Sequence, residues 1–524
     1  MGNHDPQTLI AALQDARLYD HPVVRFEVLE THISWVLLTG PYAYKIKKPV
    51  DFGFVDFTTL AKRCHYCWEE LRLNRRLAPM LYRDVVAIGG SAQHPVLGAG
   101  GEAIEYAVRM RQFRQDDLLN RLAARNELGA PHIDDIAAQS AAFHQRIAVA
   151  EANAWFGAPA QIEHWVEQNF TQIAPLLSAP QDVAQLERLH AWTRSSAAQI
   201  GAHLHARHAR GFIRECHGDM HLGNMALFGG RVAIFDCLEF NEELRWIDVM
   251  SEVAFVVMDL HDRGHAALAR RFLDRYLSHT GDYAGLAVLP YYLVYRALIR
   301  AKIDLLRLGQ GTLSARQVDA SWREYHDYID LALAFTQPRK PMLLITRGLA
   351  GAGKSTVAAQ LVEKLGLLRI RSDVERKRLH GLTAGADSHS GIGAGLYGGD
   401  ATRLTYQRLS ELAEQSIVAG YAVLVDATFL QRWQRDAFHE LAKHLKVPFL
   451  ILDLQAPREV LSERITRRRR QHDDPSEADL GVLEAQINQQ EPLAAEEMGH
   501  ALAIDAVAVE VDELVNAIQG RVAR

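Results

Sequence analysis

His217-Gly218-Asp219-Met220-His221-Leu222-Gly223-Asn224 is followed ten residues on by the apolar pair Ile234-Phe235 and then by Asp236. Asp219 and Asn224 stand five apart. That spacing suits a carboxylate that takes the proton of an attacking hydroxyl and an amide oxygen that holds a magnesium ion. Asp236, at the end of a hydrophobic strand, is the second metal ligand. Phosphoryl transfer needs alignment of two oxygens and neutralisation of phosphate charge more than covalent help. Three polar groups on adjoining strand and loop elements supply both.

HGDxHxxN with a strand-borne aspartate resembles the aminoglycoside phosphotransferase family, the small-molecule branch of the protein-kinase-like fold. The motif marks that superfamily and leaves the acceptor open, since choline, homoserine and antibiotic kinases use versions of it. The resemblance implies an α+β bilobal domain, ATP and Mg2+, and runs over residues 1–337, with an N-lobe at 1–112 and a C-lobe at 113–337.

Upstream, residues 6–15 read as a short helix, and 23–29, 33–39 and 42–48 as a β-meander. The resemblance asks for a third-strand lysine that holds the α- and β-phosphates. Lys45, in Tyr42-Ala43-Tyr44-Lys45, fits best, and Lys47 on the same face is the alternative. A carboxylate on the following helix, residues 57–77, should pair with it. Glu70 is the first choice and Glu69 the second, because the two point about 100° apart and only one can face inward. Residues 85–88 and 105–110 read as further strands around the glycine-rich turn 98–101, and 108–112 as the hinge that holds adenine. No glycine lies in the turn between the first two strands, a departure from protein kinases.

Residues 116–208 read as mostly helical, interrupted at Pro131, Pro159, Pro175 and Pro180. Beyond Asp236 the chain is acidic. Asp248 resembles the family's structural aspartate, which hydrogen-bonds back towards the catalytic loop. Glu239, Glu242 and Glu243 either line a pocket for a cationic acceptor or form a solvated loop. Helices continue from 249 to about 336, and Arg296 and Arg300 share a face that reads as solvated.

Gln337-Pro338-Arg339-Lys340-Pro341 is a linker, with two prolines that interrupt helix. The apolar strand 342–346 then runs into Gly348-Leu349-Ala350-Gly351-Ala352-Gly353-Lys354-Ser355-Thr356 and a helix. This is G-x-x-x-x-G-K-S in its strand-loop-helix setting. Gly348, Gly351 and Gly353 let backbone N–H groups converge on phosphates at a helix N-terminus, where Thr356 also lies. Lys354 bridges the β- and γ-phosphates, and Ser355 ligates magnesium. Asp426, ending the buried strand 421–426, is the second acid of the motif and holds the metal directly or through water.

Residues 341–524 resemble the P-loop kinases of the zeta-toxin, gluconate-kinase and polynucleotide-kinase kind, an α/β fold with a parallel five-stranded sheet. That resemblance makes Asp373, after the strand 367–371, the group that touches the acceptor hydroxyl, with a helix cap as the bland alternative. It also places a mobile lid on the arginine-rich helix 457–470. Arg464 and Arg467, three apart on one face, clamp the transferring phosphoryl group, while Arg468 to Arg470 are solvated. Residues 384–400 read as a glycine-rich loop over the acceptor, Ser476 as a helix cap, and 506–511 as the last strand.

At 524 residues two or three domains are expected, and 48% apolar with 23% charged residues is a globular balance. The net charge of −6 argues against a general nucleic-acid binder. No run of eighteen apolar residues suggests a membrane span, and the start lacks a signal-peptide pattern, so a cytoplasmic setting is expected. Of the four cysteines, Cys64 and Cys67 have metal-like spacing without a second pair, and read as buried thiols. The expectation is a two-kinase fusion acting on small-molecule hydroxyls, with homodimer formation left open. The rival readings are a toxin-like kinase of protein or nucleotide-sugar hydroxyls, and a pair in which one domain senses ATP for the other.

Overall fold

The computed structural model describes residues 6–522 except 54, 99–100, 309–312, 384–385, 387–395, 397 and 472–477. Most of the 384–400 loop, the core of the 98–101 turn, Ser476 and the side chains of Arg469 and Arg470 lie outside the described residues. The chain forms two compact units: residues 1–263 with 291–332, and residues 264–290 with 333–524. The sequence suggests one crossing, at the 337–341 linker. The units add an excursion at 264–290.

The first unit opens on a six-stranded antiparallel sheet. Its order is Glu27–Glu30, Ser34–Leu38, Tyr42–Lys47, Ala103–Arg111, Tyr82–Gly90, Pro95–Leu97. The first strand is shorter than its apolar pattern suggests. Pairing starts at Glu27 opposite Leu38, and Val24 is fully exposed. The edge strand Pro95–Leu97 has no alternation of its own, and only its pairing to Ile88–Gly90 defines it.

The helix Leu60–Asn74 starts where the Thr59 hydroxyl accepts from the Lys62 N–H at 3.2 Å. Its buried stripe includes Arg63, Cys67, Glu70 and Asn74, spaced at helical period. Three polar side chains on a buried stripe mark this helix as more than packing. Cys67 is buried, Cys64 half-buried, and both are free thiols.

In the helical part, Pro131, Pro159 and Pro180 sit in first turns of Ala130–Arg146, Pro159–Ile173 and Pro180–Ala209. There a missing N–H is harmless, so these prolines open helices rather than break them. Val249–Asp262 is buried on all sides from Val249 to Leu260. It is the spine against which the 217–224 loop is tied.

The second unit holds a parallel sheet in the order Leu368–Arg371, Val423–Asp426, Leu343–Arg347, Phe449–Gln455, Ala501–Asp505. Its carboxyl ends collect the glycine loop, Ser372-Asp373 and Asp426 on one edge, where ligands of open α/β sheets bind. The last strand is Ala501–Asp505, a correction to the expected 506–511. Val507 is exposed, while Val509 and Val511 pack on the core around the start of helix Val511–Val522. Their alternation reflects entry into a helix. Helix Ala266–Thr280 belongs to this unit because Asp274 answers the buried Arg369 guanidinium at 2.8 Å, and Arg378 donates to the Ser278 carbonyl at 2.6 Å. No described helix is long and apolar enough to cross a membrane.

Candidate active sites

Strand Tyr42–Lys47 carries Lys45 and Lys47 on one face, and both reach Glu70. Lys45 Nζ lies 2.9 Å from Glu70 Oε1 and 2.5 Å from Asp236 Oδ1. Lys47 Nζ lies 2.7 Å from Glu70 Oε2, pairs with Glu239 and rests 4.9 Å over the Phe57 ring. One glutamate thus serves two lysines. The Lys45 end of this cluster is the one that reaches solvent, since the Asp236 side chain is 41% exposed and that of Lys47 is fully buried. Glu69 instead pairs with Arg72 at 2.8 Å.

Asp219, Asn224 and Asp236 are brought together by their own backbone. The Asn224 amide donates to Asp219 Oδ2 at 2.9 Å and to the Asp219 carbonyl at 3.0 Å. The Phe235 N–H donates to the Asn224 carbonyl at 2.9 Å, and His217 Nε2 donates to the Phe235 carbonyl at 2.8 Å. Asp236 itself has φ +65, a left-handed backbone unusual for a residue with a side chain, and its N–H donates to the Tyr82 hydroxyl at 3.2 Å. Such strain persists where surrounding contacts over-determine it, commonly at a site. Burial raises the Asp219 carboxyl, but His221, Arg300 and His217 outweigh it and hold the group below the usual carboxylate range.

Three expectations need correction. Asp248 does not reach the catalytic loop: it is held by Arg207 at 2.7 Å through both oxygens and caps its helix at Met250 N–H. The tie to the loop is Glu252, one turn further, which accepts from Gly218 N–H at 2.7 Å and His217 N–H at 3.2 Å. Arg296 and Arg300 are not a solvated face. Arg296 is buried and donates to the Gly218 carbonyl at 3.1 Å, while Arg300 acts electrostatically on Asp219. Glu239 is buried on Lys47 and Glu242 pairs with Arg245 at 3.0 Å, while Glu243 lines a cavity. Glu252 and Asp259 (which accepts from Leu222 N–H at 2.8 Å) escaped sequence reading. Their signal was present: lone acids inside an otherwise apolar helix.

Burial raises the Glu252 carboxyl, but hydrogen bonding from His144, the charge of His217 and the Gly218 N–H outweigh it and lower it from 4.5 to about 2. A depressed carboxylate stabilises the fold fully above its unfolded value and loses that contribution as pH falls through its folded value. Stability should therefore decline between about pH 4.5 and 2. Glu252→Gln should flatten that decline in a series of acid-unfolding curves.

In the second unit Gly348, Gly351 and Gly353 have φ +150, +81 and +81. A Cβ on Gly351 would stand 2.7 Å from the Leu461 carbonyl oxygen, and one on Gly348 2.6 Å from that of Leu454. The loop is packed from behind by backbone, and its Gly348, Ala350 and Ala352 N–H groups donate to the Thr428 carbonyl at 3.1 Å, Gln486 Oε1 at 2.8 Å and the Leu349 carbonyl at 3.2 Å. Lys354 Nζ donates to the Leu349 carbonyl at 2.9 Å, and Lys354 opens the helix Lys354–Leu365 that carries Ser355 and Thr356. Asp426 is buried, its Oδ2 has no hydrogen bond among the described residues, and Arg371 Nε stands 3.7 Å away. Asp373 lies in the first turn of Ser372–Leu379, whose N-cap is Arg371. Arg464 reaches the glycine loop: its Nη1 would meet a Cβ on Gly353 at 3.5 Å. Arg467 is exposed and is not brought to the loop. Gly351→Ala should cost the unit about 1–3 kcal/mol through left-handed strain and overlap, and should weaken nucleotide binding in calorimetry.

Residues 95–289 match the Phosphotransferase enzyme family, and residues 343–493 match an AAA domain family. The chain joins a phosphotransferase-family domain to a P-loop domain. Uncharacterized proteins of Mycobacterium tuberculosis and Mycobacterium bovis are 29% identical over 457 residues, covering 86% of this chain and 88% of theirs. Among solved structures, an amicoumacin kinase covers 62% of this chain and 94% of its own at 16% identity, with a TM-score of 0.39. A gluconokinase from Sinorhizobium meliloti covers 36% of this chain and 94% of its own at 22% identity, with a TM-score of 0.25.

Proposed function

We propose that each unit of this phosphotransferase/P-loop chain transfers the γ-phosphoryl group of ATP to a hydroxyl of a small-molecule acceptor. The reading is carried by one observation: Lys45, Glu70 and Asp236 form a continuous ion-pair chain in the same unit as the paired Asp219 and Asn224. In the first unit Lys45 holds the α- and β-phosphates, and Glu70 fixes the lysine. Asp219 accepts the acceptor hydroxyl's proton at its carboxylate as the oxygen attacks, and Arg296 holds the Gly218 carbonyl so that the loop keeps its shape.

In the second unit the 348–353 amides and Lys354 cradle the phosphates, Asp373 orients the acceptor hydroxyl, and Arg464 stands beside Gly353 for the transferring group. Arg467 belongs to this reading only as a lid residue that closes on substrate. Asn224 and Asp236 in the first unit, and Ser355 and Asp426 in the second, would hold magnesium; the unsatisfied buried Asp426 Oδ2 fits that role. The metal supplies charge neutralisation to the phosphates.

The test uses the full chain and counts ATP turnover with Asp219→Asn, Lys354→Ala and the double variant. Each single variant should remove a separate share of product, and the double variant both. If Asp219→Asn changes no product while Lys354→Ala removes all turnover, the first unit is an ATP sensor and not an enzyme.

A further inference from the structure

The first unit contains a cavity of ≈1040 Å³ that Asp219 lines. Its wall is mostly apolar, with Phe240, Phe255 and Trp165 among its rings. That size and character suit a drug-sized ligand more than a small sugar. The charges on this wall are unequally committed. Asp248 is saturated by Arg207 and its own helix, and Glu243 accepts from Trp165 Nε1 at 3.1 Å. Arg296 is spent on the Gly218 and Ser251 carbonyls, and Arg307 faces Asp304 at 3.7 Å. Lys302 is different: it lines the cavity half-buried and pairs with no carboxylate among the described residues. Burial alone depresses its ammonium to about 8. A cation held in an apolar wall without a counter-charge is unfavourable until an anion arrives.

Helix Pro159–Ile173 presents a second set of uncommitted groups. Gln161 and Asn169, two turns apart and 2% and 1% exposed, line the cavity. Among the described residues Gln161 Nε2 and Asn169 Oδ1 have no hydrogen-bond partner, and neither does the buried hydroxyl of Tyr292, which also lines the cavity. Buried polar atoms without partners are rare in folded proteins and call for an explanation. Here the three residues that carry this donor, this acceptor and this hydroxyl all line the same apolar space as Asp219.

We infer that the acceptor of the first unit is a bulky, largely apolar alcohol that carries a single anionic group for Lys302 and polar substituents for Gln161, Asn169 and Tyr292. This rests on the phosphotransfer reading of Asp219 for the word acceptor, and on the cavity alone for the ligand's chemistry. Among the described residues a polycationic sugar finds in this cavity two acids outside a saturated pair, one of them Asp219 itself.

The experiment titrates the full chain with two fluorescent probes of one skeleton: the monoanion 8-anilinonaphthalene-1-sulfonate and the neutral N-phenyl-1-naphthylamine. The sulfonate should bind wild type at a saturable site, about tenfold more weakly in Lys302→Met, and normally in Lys302→Arg. The neutral probe should bind all three alike. Absence of saturable sulfonate binding, equal sulfonate binding in Lys302→Met, or equal weakening of both probes overturns the inference. Asp219→Asn separates it from the phosphotransfer reading. That variant removes a negative charge from the same wall, so the sulfonate should bind it at least as tightly as wild type, and unchanged turnover in it would defeat the reading of Asp219 while the charge preference of the cavity stood.

Discussion

Asp219→Asn should lower the first unit's phosphoryl transfer by about 10²–10⁴-fold, the share of rate that a positioned general base contributes, with ATP affinity and fold unchanged. Asparagine is nearly isosteric. Its carbonyl can still accept from the Asn224 amide that stands 2.9 Å from Asp219 Oδ2. What it cannot do is take a proton. Because burial is outweighed by His221, Arg300 and His217, the Asp219 carboxyl is ionised throughout neutral and mildly acid pH. Any acid limb of the rate between pH 5 and 8 must then belong to another group. Single-turnover rates for wild type and variant, measured across that range at saturating ATP, check both points. A variant within about threefold of wild type would show that Asp219 does not act as the base.

The sequence was most informative where chemistry imposes fixed spacing. HGDxHxxN puts Asp219 and Asn224 five apart, where the structure joins them by a hydrogen bond, and G-x-x-x-x-G-K-S lies as a loop between strand Leu343–Arg347 and helix Lys354–Leu365. Spacing says nothing about which of several like residues faces inward. Glu239 and Glu243 are four apart in one acidic stretch, yet one is buried on Lys47 and the other lines the cavity. Arg296 looked solvated because helical periodicity cannot distinguish a charge facing water from one facing a carbonyl. Glu252 was hidden by its apolar neighbours, though a lone carboxylate in a buried helix must have partners and was for that reason readable. The excursion at 264–290 was not readable at all. It depends on Asp274 meeting Arg369, 95 residues away, and neither residue carries a local signal of that pairing.

Lys47→Met and Lys45→Met should separate stability from nucleotide binding. Lys47 is buried with Glu70 and Glu239, and burial raises the Glu239 carboxyl even against the opposing charge of that lysine. Removing one partner of a buried pair leaves an uncompensated charge and costs about 3–5 kcal/mol, which lowers the unit's thermal midpoint by roughly 10 °C. Lys45 stands at the solvent end of the same chain. Without it, Glu70 keeps Lys47 and the part-exposed Asp236 can turn to water, so the fold should lose only about 1–2 kcal/mol. ATP affinity should fall about 10–100-fold, the worth of a charge-assisted bond to phosphate. Thermal unfolding and nucleotide titration of the two variants decide the assignment. Both lysines touch Glu70, so proximity to that carboxylate cannot choose between them. If Lys47→Met lost nucleotide while keeping its midpoint, the buried end of the chain would have to open to solvent. The contact of Lys45 with Asp236 would then be structural.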